Sequence, residues 1–251
     1  MSNTGLAGKV AVITGGGGGI GSATALRLAR AGASVAVVDL LREAAQATVD
    51  AIRKEGGTAS AFNVDLEQIG QIYKLVEDVV TTFGRIDILH NNAVLNDPVI
   101  YPQDRKLADI KVEHWDKIFA VNVRAPMLLS KLAIPHMIAQ GGGVIINMSS
   151  GASTKGLPDM LTAYGSSKGA LNTLTLYTAA QYGNQKIRCN ALVCGAVLTP
   201  SLRKLFTKEQ VEQMARASLT GRPNVAEDIA KFIHFLVSDD AEQITGQLYP
   251  I

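Results

Sequence analysis

The chain has 251 residues, 47% of them apolar, and 24 Lys and Arg stand against 22 Asp and Glu for a net charge of +2. That balance offers no electrostatic footprint for nucleic acid or an anionic membrane, and the even composition suits one large α/β domain. Met1 to Val10 lacks the apolar stretch of a signal peptide, and no unbroken apolar run approaches the ~20 residues of a membrane span, so a cytoplasmic protein with a small-molecule partner is expected.

Short β-branched runs alternate with longer stretches of helical period, the pattern of a parallel sheet built from right-handed crossovers. The first strand reads as Val10 to Thr14, followed by a glycine run and a helix over Ile20 to Ala31. Then come a strand at Ser34 to Asp39, a helix at Leu41 to Glu55, a strand at Thr58 to Val64, a helix at Leu66 to Phe83 and a strand at Ile86 to His90. A polar connection, Asn96 to Lys111, leads into one long helix, Val112 to Gln140, and a strand at Gly143 to Met148. The helix Ala163 to Tyr182, the strand Ile187 to Val193, a second polar connection from Leu198 to Thr220, the helix Ala226 to Val237 and a last strand near Gln247 to Tyr249 complete the chain. Seven strands predict a single doubly wound domain over residues 1–251, whose polar connections leave strand carboxyl ends, where such folds hold their ligands. Cys189 and Cys194 lie outside any C-x-x-C pattern and, if extended, point to opposite sheet faces; they read as reduced core or pocket residues, and no metal is expected.

Thr14-Gly15-Gly16-Gly17-Gly18-Gly19-Ile20-Gly21 follows a strand and opens a helix, so bare backbone N–H groups and the positive helix end can face a pyrophosphate. Two registers fit: Gly16, Gly18 and Gly21 satisfy G-x-G-x-x-G, and Gly15, Gly19 and Gly21 satisfy G-x-x-x-G-x-G. Asp39 ends the second strand near the ~20-residue offset expected for an acid that bonds the adenosine ribose, and its charge would repel a 2′-phosphate. That favours NAD over NADP. Tyr164 and Lys168 sit four apart, on one face of a helix. Bringing a phenol from ~10 to about 7 takes ~4 kcal/mol. An ammonium at ~4 Å contributes about that much at an effective dielectric of ~20.

With these motifs placed, the chain resembles the short-chain dehydrogenase/reductase family, a Rossmann-type fold, over essentially its whole length. The loop resembles T-G-x-x-x-G-x-G, which selects Gly15, Gly19 and Gly21; Asn91-Asn92-Ala93 resembles N-N-A-G; Asn122 resembles the helix asparagine; Ile146 to Ser150 resembles the strand that ends in the catalytic serine; and Tyr164 with Lys168 matches Y-x-x-x-K. The resemblance implies a catalytic set of Asn122, Ser150, Tyr164 and Lys168, with Ser150 favoured over Ser149 by its spacing before Tyr164. Tyr164 would exchange a proton with the alcohol or carbonyl oxygen, Ser150 would orient that oxygen, and Lys168 would lower the Tyr164 pKa and bind ribose. Cofactor contacts are implied for Gly15, Ile20 beside Gly19 and Gly21, Asp39, Asp65 at adenine, Asn92, Lys168, Val197 and Thr199. The resemblance also implies a relay water held near Lys168 by the Asn122 carbonyl; Pro126, with no N–H to meet that carbonyl four residues earlier, either frees it for the water or, like Pro135, only kinks a long helix.

The family pattern is broken at Val94, where glycine is usual, and at Cys194, where proline precedes glycine; valine at positive φ would be strained, so a shifted turn is expected. The ending Gln247 to Ile251 lacks the family's glycine-containing tail, which puts the implied homotetramer in competition with a homodimer. Val94, Leu95, Ala152, Leu157, Met160, Leu161 and Cys194, with the loop around 198–220 bearing Leu202, Leu205 and Phe206, outline an apolar substrate pocket. The expected reaction is NAD-dependent oxidation of a hydrophobic secondary alcohol or reduction of its ketone, with alicyclic or steroid-like molecules as the expected shapes; Arg203 and Lys204 offer an acidic substrate as the other choice. An epimerase or dehydratase on the same scaffold and a catalytically silent NAD(H) sensor are the competing readings.

Overall fold

Runs of Val, Ile and Ala with no charge at alternate positions cannot serve a sheet that is wet on one side, and here they are buried on both. A computed structural model describes residues 5–95, 103–204 and 206–251. Its strands are β1 (Val10–Thr14), β2 (Ser34–Asp39), β3 (Ala59–Asn63), β4 (Ile88–Asn91), β5 (Gly143–Ser150), β6 (Ile187–Cys194) and β7 (Leu248–Pro250). They form one sheet in the order β3-β2-β1-β4-β5-β6-β7, with every pairing parallel. The strand order reverses between β1 and β4, the switch point at whose carboxyl side such folds hold their ligands.

Alternation along each strand feeds two cores. Ala11, Ile13, Val35 and Val37 face α1 (Gly19–Arg30), α2 (Arg42–Lys54) and α9 (Ala226–Val237) through Leu28, Val49 and Ile233. Val10, Val12, Ala36 and Val38 face α3 (Ile69–Phe83) and α5 (Ala125–Ala139) through Ile72, Val79 and Leu129. The two cysteines divide in the same way, Cys194 in the first core and Cys189 in the second, both free thiols.

Three boundaries differ from expectation in ways that matter for the site. The long helix starting at Val112 is α4 (Val112–Phe119), a π-helical turn over Ala120–Arg124, and α5. As a whole, Val112–Ala139 is long and apolar enough by composition to cross a membrane, contrary to the reading from unbroken apolar runs, but 61% of its most apolar window is buried in the fold, the placement of a core helix. β5 continues to Ser150, so both candidate serines lie on the sheet itself. The connection after β6 folds into α7 (Pro200–Arg203) and α8 (Lys208–Ala217). α8 begins with a reciprocal capping pair, in which Gln210 N–H donates to Thr207 Oγ1 at 3.3 Å and Thr207 N–H to Gln210 Oε1 at 2.8 Å. The residues around that cap are mostly exposed and polar, so the helix carries little apolar signal in the sequence. Leu205 lies outside the described residues, as does the side chain of Leu202.

Candidate active site

The glycine run turns tightly between β1 and α1. Gly15 and Gly19 take φ of 62° and 53°, the left-handed region open to glycine, and a Cβ on Gly21 would overlap the Gly15 carbonyl oxygen. These are the three glycines of the wider register. The turn is clamped from β4: Thr14 Oγ1 accepts the N–H groups of Asn92 and Ala93 at 3.1 Å each, and Asn92 Nδ2 donates to the carbonyls of Thr14 at 2.9 Å and Gly15 at 3.1 Å. Asn92 therefore braces the loop with its amide. Gly18 has open space where a Cβ would stand, and a Cβ on Gly19 would meet Thr199 Cγ2 at 3.2 Å, which brings the segment after β6 over the loop. Bare backbone at a helix amino end fits a pyrophosphate. Asp39 leans into the same turn, its Oδ2 accepting the Gly17 N–H at 2.9 Å and its Oδ1 the Leu41 N–H at 3.0 Å. Asp65 caps its own turn through Glu67 N–H at 2.9 Å.

α6 (Thr162–Tyr182) lays Tyr164 and Lys168 against the end of β5. The Ser150 side chain hydrogen-bonds the Tyr164 phenol, whereas the Ser149 hydroxyl donates to the Lys168 carbonyl at 3.3 Å. Of the two serines, Ser150 is the one that meets the phenol. Lys168 is buried, and its Nζ donates to the Met148 carbonyl at 2.7 Å and lies 5.6 Å from the centre of the Tyr164 ring. The ammonium thus faces the ring in a cation–π contact. Burial of the phenol end holds the Tyr164 pKa above its ordinary value, with the Ser150 bond pulling the other way. Burial also brings Lys168 down to about 8, the side chain having left water with no carboxylate partner among the described residues. Cys194, opposite Ser150 in the β5–β6 register, is pushed up to about 12 by burial, with Lys168 pulling it down. A neutral thiol at that position packs and does not attack.

Asn122 sits in the π-helical turn, where Ala125 N–H reaches back five residues to the Ala120 carbonyl. Pro126 follows and has no N–H for the Asn122 carbonyl. The Asn122 amide is also engaged: Oδ1 accepts the Leu95 N–H at 3.2 Å and Nδ2 donates to Ser167 Oγ at 3.1 Å, which in turn donates to the Tyr164 carbonyl at 2.7 Å. Asn122 therefore joins the residues after β4 to the helix that carries Tyr164.

Ile20 packs partly buried on the first core, and Val197 bridges Asn224. Of the residues expected to line a pocket, Val94, Leu157 and Met160 expose 37%, 48% and 46% of their surface, so their apolar side chains are open to solvent. Ala152 lies in the turn after Ser150, its N–H donating to Ser150 Oγ at 3.3 Å, and Phe206 is half-buried. Val94 does not take positive φ; among the described non-glycine residues only Leu161 and Lys186 do, so valine carries no left-handed strain at this position. Two supporting groups escaped the sequence reading. Thr14 stood inside the loop motif, but the use of its hydroxyl depends on β4. Asp104, whose carboxylate accepts the N–H groups of Ala163 and Tyr164 at 2.8 and 2.9 Å, lies about sixty positions away and bears no local signal.

Comparison with known proteins agrees with this geometry. A family model described as enoyl-(acyl carrier protein) reductase, of the short-chain alcohol dehydrogenase type, matches residues 15–251. A probable short-chain type dehydrogenase/reductase of Bradyrhizobium diazoefficiens is 41% identical over 241 residues, covering 96% of this chain and 85% of that protein. The cyclohexanol dehydrogenase of an Acinetobacter species is 34% identical over 243 residues, covering 97% and 93%. The solved structure of a 7α-hydroxysteroid dehydrogenase with NADH and 7-oxo glycochenodeoxycholic acid superposes with a TM-score of 0.91 at 34% identity, covering 99% of this chain and 94% of that one. With a doubly wound sheet, a braced glycine turn and a Ser–Tyr–Lys cluster at its carboxyl edge, the chain belongs to the short-chain dehydrogenase/reductase family.

Proposed function

We propose that this protein transfers a hydride between NAD(H) and a hydrophobic secondary alcohol or its ketone, with Tyr164 exchanging the proton. The observation that carries the reading is the hydrogen bond between the Ser150 and Tyr164 side chains beside Lys168, at the sheet edge that holds the glycine turn. Two hydroxyls converging on one point suit a carbonyl or alcohol oxygen, which accepts from both as charge develops. Nicotinamide supplies or accepts the hydride when bound. Gly15, Gly19 and Gly21 shape the pyrophosphate turn, Asp39 places a negative charge that disfavours a 2′-phosphate, and Thr199 lies over the turn.

The direction of the Tyr164 shift has a consequence for pH. A phenol raised by burial is protonated at neutral pH and ready to donate to a ketone oxygen, while alcohol oxidation needs the phenolate. Oxidation should accelerate through the alkaline range, and reduction should hold until the phenol ionises. The exposed apolar surface of Val94, Leu157 and Met160 supports an apolar substrate, as do relatives named for cyclohexanol and for a hydroxysteroid.

The test mixes purified protein with NAD and a panel containing cyclohexanol, aliphatic and aromatic secondary alcohols and a 7α-hydroxysteroid, following NADH formation beside Tyr164→Phe. Turnover should fall by about 10²-fold or more in the variant, the scale of a lost general acid–base, with NADH binding retained. Near-normal activity of Tyr164→Phe would take the proton-transfer role from this residue.

A further inference from the structure

We infer that Asp104 is a positioning residue for Tyr164, acting through the first turn of α6; this rests on Tyr164 being the proton-transfer group. α6 enters without a cap of its own. Leu161, its N-cap residue, stands in the left-handed region at φ 63° and ψ 30° and makes no side-chain capping bond. The first N–H groups of a helix have no intrahelical partners and must be met from elsewhere.

They are met from the segment before α4. Asp104, 2% exposed, accepts Ala163 N–H on Oδ1 at 2.8 Å and Tyr164 N–H on Oδ2 at 2.9 Å, while its backbone carbonyl accepts Leu161 N–H at 2.8 Å. Thr162 Oγ1 adds a bond to the Arg105 carbonyl at 2.6 Å, and an exposed pair joins Lys106 to Asp159 at 3.0 Å. A carboxylate that spends both oxygens on successive backbone N–H groups at a helix amino end makes charge-assisted bonds and complements the dipole. The left-handed Leu161 is held in an otherwise disfavoured conformation by the same contacts.

The anchors of α6 are unevenly spread. Lys168, one turn further in, is fixed by its own bond to the Met148 carbonyl at 2.7 Å and by Ser149 Oγ on its carbonyl. Tyr164, the third residue of the helix, has its backbone N–H on Asp104. Loss of the Asp104 carboxylate loosens the turn that aims the phenol at Ser150 and leaves Lys168 and the glycine turn in place. Proton transfer suffers while the cofactor site stands. Asparagine at position 104 keeps one acceptor oxygen and turns an NH2 toward the second N–H, so it restores part of the function.

The experiment compares the wild type, Asp104→Ala, Asp104→Asn, Thr162→Val and Tyr164→Phe, assayed with NAD against cyclohexanol and a 7α-hydroxysteroid, with thermal unfolding and hydrogen exchange of the peptide around residues 161–168. Thr162→Val removes another bond of the same contact without touching the Tyr164 N–H, and so reports on stability alone. Expected is a kcat loss of about 30-fold in Asp104→Ala, an intermediate value in Asp104→Asn, a KM for NAD within about twofold of wild type, and faster exchange of the helix start. Thr162→Val should stay within about twofold in kcat. Wild-type kcat in Asp104→Ala, an equal kcat loss in Thr162→Val, or a loss confined to the KM for NAD each overturns the inference while an inactive Tyr164→Phe leaves the proposed reaction standing. Full activity of Tyr164→Phe, or a wild type silent toward both alcohols, instead removes the reaction and this inference together.

Discussion

His90 should make the fold sensitive to mild acid. It is 0% exposed on β4, neither ring nitrogen finds a partner among the described residues, and burial drives its pKa from 6.5 down to about 3. In the unfolded chain the imidazole titrates near its ordinary ~6.5. Below that value the unfolded state binds a proton that the folded state refuses, so the stability present above pH 6.5 is lost as the pH falls toward 3. The loss is ~1.4 kcal/mol per pH unit, or about 2 kcal/mol by pH 5, from a total that for a domain is roughly 5–15 kcal/mol. The assay is urea unfolding at pH 7 and pH 5 for the wild type and His90→Val. Other titrating groups act on both proteins and cancel in the difference, so the wild type should lose about 2 kcal/mol more than the variant. Parallel losses would show that the folded His90 takes up a proton after all, and the burial argument would fail. Function is exposed to the same change, because the His90 carbonyl accepts the Thr14 hydroxyl at 3.3 Å, and Thr14 begins the glycine turn.

Two further predictions concern the site directly. Asp39→Ala should narrow the preference for NAD over NADP by about tenfold or more, since a charge that opposes the 2′-phosphate is gone; it should also loosen the turn at Gly17, whose N–H loses its acceptor. Measured kcat/KM ratios for the two cofactors that do not move would assign ribose reading to another group. Ser150→Ala should cut turnover by about 10²-fold through the lost donor, and Ser149→Ala should cost mainly stability, because its hydroxyl is bonded to the Lys168 carbonyl. Equal turnover losses in the two variants would contradict this division of roles.

Much of the fold is local enough to read from the chain. β1, β2 and α9 have the limits that β-branched runs and helical period suggest, because each is a short apolar element whose ends are marked by polar or glycine residues. The placement of Tyr164 and Lys168 on one helix face, and of Asp39 at the end of a strand, follows from periods of 3.6 and 2. The helix over Lys208–Ala217 carried a readable signature in Thr207 and Gln210, missed because its stripe is weakly apolar.

Chemistry at long range was another matter. The amino-acid sequence by itself determined the alternating architecture, the glycine turn, the acid at the end of β2 and the Tyr–Lys spacing, since each is set by neighbours within a few residues. Only the tertiary structure decided that Ser150 and not Ser149 meets the phenol, that Lys168 lies over the Tyr164 ring, that burial raises the phenol, and that Asp104 caps α6 from about sixty residues away. Desolvation and capping across the chain depend on what the fold brings into contact, and no local pattern records that.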